Sequence, residues 1–367
     1  MAEPNRMGIN ARNDAARLLL AAARERFSVA VTDLLLPEQT RLSEWQRLTA
    51  ANLLTRLVRS VEDTLRASLA AKLEEQDAVH AALSSAHVDI ALPILERAGV
   101  LNDPELGTLL VRRVEEHRFW KAQTARTAPG EDLLARLIRD ADPDVAAEAM
   151  ELVIARSRRF DRFGEPVIGQ VELPAELQHR LVWMIAAALR HYLVQQHQIA
   201  SPDGVVAEAA EAAIAAYDEG ASLEARSLRV ARRLHRLRRL DGPLLARALE
   251  EGLLPLFIAG TSQLTATDYG AAWEVLSDPR GRGPAILLRA AGISREDAAA
   301  TFLTLSSHGR LFSGQEGESA VAQLELFDSL DEGAASDMLR LWQVDPAYRA
   351  AVARLSTRGR RPAADAA

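Results

Sequence analysis

The sequence predicts an all-α protein. Ala and Leu, both strong helix formers, supply 67 and 54 of the 367 residues, while aromatic residues reach only 5%. Apolar residues recur at intervals of three and four instead of alternating, which is the helical period. Asp-Pro and Ser-Pro pairs punctuate the chain where a capping side chain and a first-turn proline would start a helix. No stretch reads as a strand. With 48% hydrophobic residues the chain can bury enough surface to offset its conformational entropy.

From Asn13 to Val31 the chain is Ala/Leu-rich and reads as a first helix, ending near Pro37. Ser43 and Gln46 form a capping-box pattern, in which each side chain satisfies a free backbone amide. Behind it Leu54, Leu57, Val58, Val61, Leu65 and Leu69 make one apolar stripe. That long helix is expected to pack on the first as an N-terminal helical hairpin. Near residue 77 the rhythm changes to short helices with frequent stops. Asp89 opens Ile90 to Leu95 and Gly99 closes it; Asp103-Pro104 starts the next helix, with Leu106, Leu109 and Leu110 as its buried stripe. Leu134, Leu137 and Ile138 repeat that spacing 28 residues later, and Asp142-Pro143 repeats the cap-plus-proline device before Val145, Ala149, Leu152 and Val153.

Aspartate, proline and apolar positions that recur together read as degenerate helix–turn–helix units. The expected architecture is therefore a set of irregular HEAT-like helical repeats, an α-solenoid, preceded by the N-terminal hairpin. A globular all-α domain is the alternative. The segment Arg158–Pro174, with Phe160, Phe163, Gly164, Pro166 and Gly169, reads as a joint. Beyond it Leu177, Leu181, Met184, Ile185 and Leu189 mark another long helix, and Ser201-Pro202 caps an Ala/Glu-rich one. After these the chain alternates short helices and turns, with a capping box at Ser294 and Asp297 and a last helix from Asp345-Pro346. The expected organisation is a helical lead-in over 1–76, repeats over 77–160, a C-terminal helical subdomain over 161–356 and a disordered tail over 357–367.

The run HVDIALPILERAGVLNDPELGTLLV, from His87 to Val111, resembles the bacterial family catalogued as domain of unknown function 2336. So does Val230 to Thr304, which includes LHRLRRLDGPLLARALEEGLLPLF and DPRGRGPAILLRAAGIS. The lead-in TDLLLPEQTRLSEWQRLTAANLLTRLVR, Thr32 to Arg59, is similar to a segment that often precedes that domain. These motifs are caps, prolines and leucines. The resemblance implies a helical, HEAT-like cytoplasmic protein and carries over no catalytic residue.

Composition excludes several chemistries. Cysteine is absent, which removes disulfides, thiolate nucleophiles, iron–sulfur clusters and cysteine-ligated zinc. A net charge of -7 is not the global signature of a nucleic-acid binder. The longest uncharged stretch, Leu253 to Thr267, contains Pro255 and turns polar after Gly260, so no segment reads as a membrane span and a cytoplasmic location is expected.

The most conspicuous constellation lies between Arg226 and Arg239. At helical spacing Leu223, Ser227, Val230, Leu234 and Leu237 share one face, while Arg226, Arg229, Arg232, Arg233, Arg236 and Arg239 cover the opposite side. A guanidinium face of this kind suits an acidic partner helix, phosphates or an anionic surface. The bland alternative is a solvated face paired with Glu208, Glu211, Glu219 and Glu224. Interleaved aromatics, which would stack bases, are missing. His179, His191 and His197 share a helix, but spacings of 12 and 6 point their rings apart, so no metal is expected. Glu115-Glu116-His117 reads as a surface helix end. Neither lysine, Lys72 nor Lys121, follows a glycine, which removes a phosphate loop, and no Gly-x-Ser-x-Gly elbow occurs. Gly281-Arg282-Gly283-Pro284 reads as a turn before a helix, and the five tryptophans, one per region, as packing. No cofactor is called for. The expected function is a non-enzymatic scaffold or adaptor for an unidentified, acidic protein partner, with a regulatory or signalling role. Nucleic-acid or anionic-ligand binding through 226–239 and an enzyme assembled from distant segments are the alternatives.

Overall fold

The computed structural model describes residues 42–73, 77–85, 88–126, 132–278, 281–307, 320–344 and 348. The expected first helix of the hairpin, the helix from Asp345-Pro346 and the tail over 357–367 lie outside the described residues. Within them every named element is a helix, with one isolated β-bridge between Phe160 and Pro166. The chain is all-α.

Helix α1 (Glu44–Lys72) starts directly after Ser43, as its cap pattern predicts. Its stripe buries Leu57, Val58, Val61, Leu65 and Leu69 as the sequence predicts, but Leu53 is buried where Leu54 is expected, and Leu54 is half-buried; acidic Glu44 in the first turn and Lys72 in the last complement the helix dipole. Two charged residues on the buried side, Glu62 and Arg66, organise the turn between α2 (Asp77–Ser84) and α3 (Ala91–Ala98). Arg66 donates to the carbonyls of Leu83 at 2.8 Å, Val88 at 2.9 Å and Ala82 at 3.0 Å. Glu62 accepts from the amides of Ile90 at 3.0 Å and Ala91 at 2.9 Å, and so serves the N-terminus of α3 from another helix. The sequence assigns that start to Asp89; instead Asp89 pairs with Arg59 of α1. Gly99, at φ 67°, closes α3 in the left-handed conformation that glycine adopts without penalty.

Helix α4 (Pro104–Thr124) is capped by Asp103, which accepts from the Glu105 and Leu106 amides at 2.8 and 3.2 Å. Helices α5 (Leu133–Ile138) and α6 (Pro143–Ser157) come after it, the latter capped by Asp142. Next are α7 (Ala175–His197) and α8 (Asp203–Ala215). Pro202 occupies the cap position of α8, with no side-chain hydrogen bond from Ser201. The chain continues through α9 (Leu223–Arg236), α10 (Gly242–Glu250), α11 (Leu254–Thr265) and α12 (Tyr269–Leu276). It ends with α13 (Gly283–Ala290), α14 (Arg295–Ser306), α15 (Ala320–Ser329) and α16 (Glu332–Leu339).

Two apolar clusters organise the packing. One gathers α1 to α3, the first half of α4, α7 and α8. The other gathers Phe119, α5, α6 and the helices from α9 onward around α11. Helix α4 serves both, with Leu106, Leu110 and Val114 in the first and Phe119 in the second. The uncharged run from Leu253 becomes α11, which packs against α4, α9, α10, α12 and α13. Its buried hydroxyls are satisfied locally: Thr261 donates to the Phe257 carbonyl at 3.1 Å and Thr265 to that of Thr261 at 2.8 Å. Among the described residues no helix is long and apolar enough to cross a membrane. Trp273 is buried as expected, whereas Trp45 is 45% exposed on the first turn of α1.

Candidate functional site

Helix α9 forms where the sequence places it. Ser222 caps it by accepting from the Ala225 amide at 3.1 Å, and Leu223, Ser227, Val230, Ala231 and Leu234 are buried against α6 and α11. The helix ends at Arg236, so Leu237 leaves the apolar face and is 37% exposed. Arg239 lies beyond the helix, after Arg238 at φ 56°.

The six arginines divide into two sets. Arg226 approaches Glu151 at 3.4 Å, and Arg233 reaches Asp142 at 2.7 Å and Asp144 at 2.9 Å. Arg239 holds Asp140 through two hydrogen bonds, one of them 2.8 Å. Those bonds draw the Asp140 carboxyl down to about 2, and the bond from Arg233 lowers Asp142. The partners come from α6 and the turn before it, not from the nearby glutamates: Glu224 is taken by Arg112 and Glu208 by Lys72. Arg229, Arg232 and Arg236 are exposed, and no carboxylate among the described residues pairs with them. They border a cleft of about 330 Å³ between α9 and α6, together with Arg233, Asp144 and Glu148. Cations outnumber anions on that lining.

Glu115, Glu116 and His117 are not a surface helix end. All three are buried in the middle of α4, where apolar clusters meet the helix on both sides. Glu116 accepts from Arg112 at 3.1 Å, from Arg113 at 3.3 Å and from Arg159. Arg159 continues to Glu172, whose other oxygen accepts from the Leu223 amide at 3.1 Å, at the start of α9. Arg112 reaches Glu224 at 2.6 Å and lies over the Tyr269 ring at 4.6 Å. Burial alone would raise the Glu116 carboxyl, but Arg159, Arg112 and Arg113 outweigh it and hold it at about 2. The local signal for this network was the pairing of Arg112 and Arg113 with Glu116 at helical spacing. Arg159 and Glu172, remote in sequence, complete it.

His179 lies one turn from Trp183, whose indole donates to it at 3.2 Å, and His197 contacts the Tyr192 hydroxyl at 3.4 Å. Among the described residues no group of three metal-ligating side chains assembles.

The family described as an uncharacterised protein conserved in bacteria, DUF2336, matches residues 90–340. The chain belongs to the DUF2336 family. No curated protein and no solved structure matches it. The match spans α9 and the charge network alike, so both belong to the DUF2336 portion of the chain.

One consequence of the network region is a pH dependence. His117 of this DUF2336 chain sits between the Trp120 and Phe160 rings at 5.6 and 5.9 Å, and neither ring nitrogen has a hydrogen-bond partner among the described residues. Burial, aided by the Arg113 charge, pushes the imidazole down to about 4 from an ordinary 6.5. The unfolded chain therefore takes up the proton first as pH falls. Stability is full above the ordinary value and declines through about 4, by about 2–3 kcal/mol. Thermal unfolding between pH 7 and pH 4 should show this decline in the wild type and a shallower one in His117→Phe. Equal slopes would remove the imidazole as its source.

Proposed function

We propose that this chain is a non-enzymatic scaffold or adaptor, built of irregular HEAT-like helical repeats, that holds an acidic protein partner through Arg229, Arg232 and Arg236. The observation that carries this reading is the division of the arginines: Arg226, Arg233 and Arg239 are neutralised by the protein's own carboxylates, and the other three are not, among the described residues. Exposed pairs contribute little to folding, so a stability role does not account for the unpaired set. Uncompensated cations along consecutive turns of one rigid helix favour an acidic surface by steering and register. Two further features support a repeat scaffold: short helices that pack on their sequence neighbours, as α5 does on α6 and α10 on α11, and the recurring aspartate caps at Asp103, Asp142 and Asp241. The proposed setting is the bacterial cytoplasm, in a regulatory or signalling assembly.

The test compares the wild type with Arg229→Glu/Arg232→Glu/Arg236→Glu and with the control Arg238→Glu. The tagged full chain is used for affinity capture from nuclease-treated bacterial lysate, followed by mass spectrometry. The expected result is a near-stoichiometric partner retained by the control and weakened at least about tenfold in the triple variant. Circular dichroism should be unchanged, because all three side chains are exposed. Equal capture by the triple variant, or nothing enriched above a tag-only control, would overturn the reading. Salt-sensitive binding of a fluorescent DNA duplex by the wild type would turn it toward nucleic acid.

A further inference from the structure

Two buried atoms in the cleft between α6 and α9 are left over by the adaptor reading. On the α9 side, Arg233 Nε is buried and has no hydrogen-bond partner among the described residues. Its Nη2 carries the bonds to Asp142 and Asp144, so Nε stays unanswered. On the α6 side, Glu148 Oε2 is likewise buried and unpartnered. One atom is a donor and the other an acceptor, yet they do not bond to each other across the cleft. Native proteins place a partner on nearly every such atom. With about 330 Å³ the cleft has the space of about ten waters at liquid density, so it takes a group of atoms.

The charges around these atoms select the kind of group. Arg229, Arg232, Arg233 and Arg236 stand at i, i+3, i+4 and i+7, on one face of α9 over about 10 Å. Arg233 is engaged by its aspartates, and no described carboxylate pairs with the other three. A single carboxylate brings one charge and two oxygens, which one guanidinium fork occupies. A phosphomonoester concentrates close to two charges and three strong acceptor oxygens on one tetrahedral centre, enough for several arginines together. Glu148 sets a second condition. It repels a bare anion, whereas a ligand that also brings an N–H gives Oε2 a donor. A phosphorylated residue within a peptide has both parts, phosphoryl oxygens for the arginines and a backbone amide a few bonds away.

From this we infer that the cleft binds a phosphomonoester dianion carried on a serine or threonine side chain of the partner, with Arg229, Arg232, Arg233 and Arg236 on the phosphoryl group and Glu148 on a neighbouring amide. This deepens the reading of α9 as a partner surface, on which it rests, and makes recognition conditional on phosphorylation of the partner.

The direct test titrates the full chain by calorimetry at constant ionic strength with N-acetyl-O-phosphoserine N-methylamide. The matching serine and aspartate derivatives are the controls, and ethyl phosphate presents the same ester without amides. The expected result is saturable binding of the phosphoserine derivative, at least about tenfold tighter than the aspartate one, with none for serine. Arg233→Lys, which keeps the charge beside Asp142 and Asp144 but lacks Nε, should weaken it about tenfold. Arg232→Gln, at an exposed position, should weaken it as well and keeps the test decisive if Arg233→Lys misfolds. The phosphoserine derivative should bind more tightly than ethyl phosphate, and Glu148→Ala should close that gap. No saturation, equal affinity for the aspartate derivative, or unchanged affinity in Arg232→Gln would overturn the phosphate site. Ethyl phosphate bound as tightly as the phosphoserine derivative would overturn its peptide source. A second arm repeats the lysate capture after phosphatase treatment, and the partner should then be lost. Capture that survives phosphatase but fails in Arg229→Glu/Arg232→Glu/Arg236→Glu would overturn the phosphate inference and keep the adaptor reading. Saturable binding of the phosphoserine derivative with no protein captured would overturn the adaptor reading and, with it, the partner as the phosphate's source.

Discussion

Glu116→Leu is expected to lower the free energy of unfolding by about 3–5 kcal/mol, because it removes one partner of a buried charge network and strands the others. Arg113 and Arg159 are each only 5% exposed, and in the wild type both bond the same Glu116 oxygen. Without it Arg159 retains Glu172 and Arg112 retains Glu224, but Arg113 is left with the carbonyls of Val167 and Arg159. Two guanidinium groups then face each other across apolar surroundings, which is costly at low dielectric. The same logic gives an acid limb in the wild type. The Glu116 carboxyl is held at about 2 when folded, against an ordinary 4.5, so its contribution is complete above the ordinary value. That contribution fades as pH falls toward 2. Urea unfolding at neutral pH measures the substitution directly. A loss below about 1 kcal/mol, the scale of an exposed pair, would mean that solvent reaches the network.

The network matters for more than stability because of what it joins. It runs from α4 through Arg159 to Glu172, and Glu172 accepts the amide that opens α9. Arg112 holds Glu224, in the first turn of that helix. The helix bearing the exposed arginines is thus anchored at its N-terminus by buried charge and along its length by α6 and α11. Such anchoring presents Arg229, Arg232 and Arg236 at fixed spacing.

Local physics was legible in the sequence. Asp103, Asp142 and Ser294 cap the helices they precede, because a cap bonds amides two or three residues away and needs nothing else. The stripe of α1 and the amphipathic period of α9 were legible for the same reason. What escaped depends on distant segments. Glu115, Glu116 and His117 are consecutive, so on one helix they point in different directions, and three polar residues in a row read as a surface helix end. They are buried because apolar clusters approach α4 from more than one side, which no periodicity within α4 records. Which arginines of 226–239 are neutralised was equally hidden. Their carboxylates come from Asp140, Asp142, Asp144 and Glu151, not from the closer glutamates. The start of α3 shows the same effect, with Glu62 of α1 supplying the cap that Asp89 was expected to give. The arginine cleft lies between α6 and α9, so it exists only in three dimensions.

Adding a single methyl group at Gly283 is the second change with a large expected cost. A Cβ there would lie 1.6 Å from the Val275 carbonyl oxygen and 2.7 Å from its carbon, both rigid backbone atoms. Val275 cannot retreat cheaply: it and Leu276 are buried at the end of α12, in the cluster around α11. Nor can α13 shift alone, since Pro284 restricts its first turn and Ala285, Leu287 and Leu288 are buried behind it. Gly283→Ala should therefore cost about 3 kcal/mol, at the upper end of overpacking effects, or more. Gly107 is the matched contrast. It lies on the exposed side of the first half of α4 with nothing within 4 Å of a Cβ, and alanine there should stabilise by about 0.5–1 kcal/mol through helix propensity. Urea unfolding of both variants decides between steric and propensity accounts, because only the steric account predicts opposite signs. A loss at Gly283 below about 1 kcal/mol would mean that the α12–α13 turn relaxes freely. Because α13 packs on α11 and α11 on α9, the same variant also asks how far the arginine face depends on its support. Partner capture that survives a destabilised α13 would place the recognition information in α9 and its anchors at Glu172 and Arg112. Capture lost together with folding would make the whole cluster around α11 part of the recognition surface.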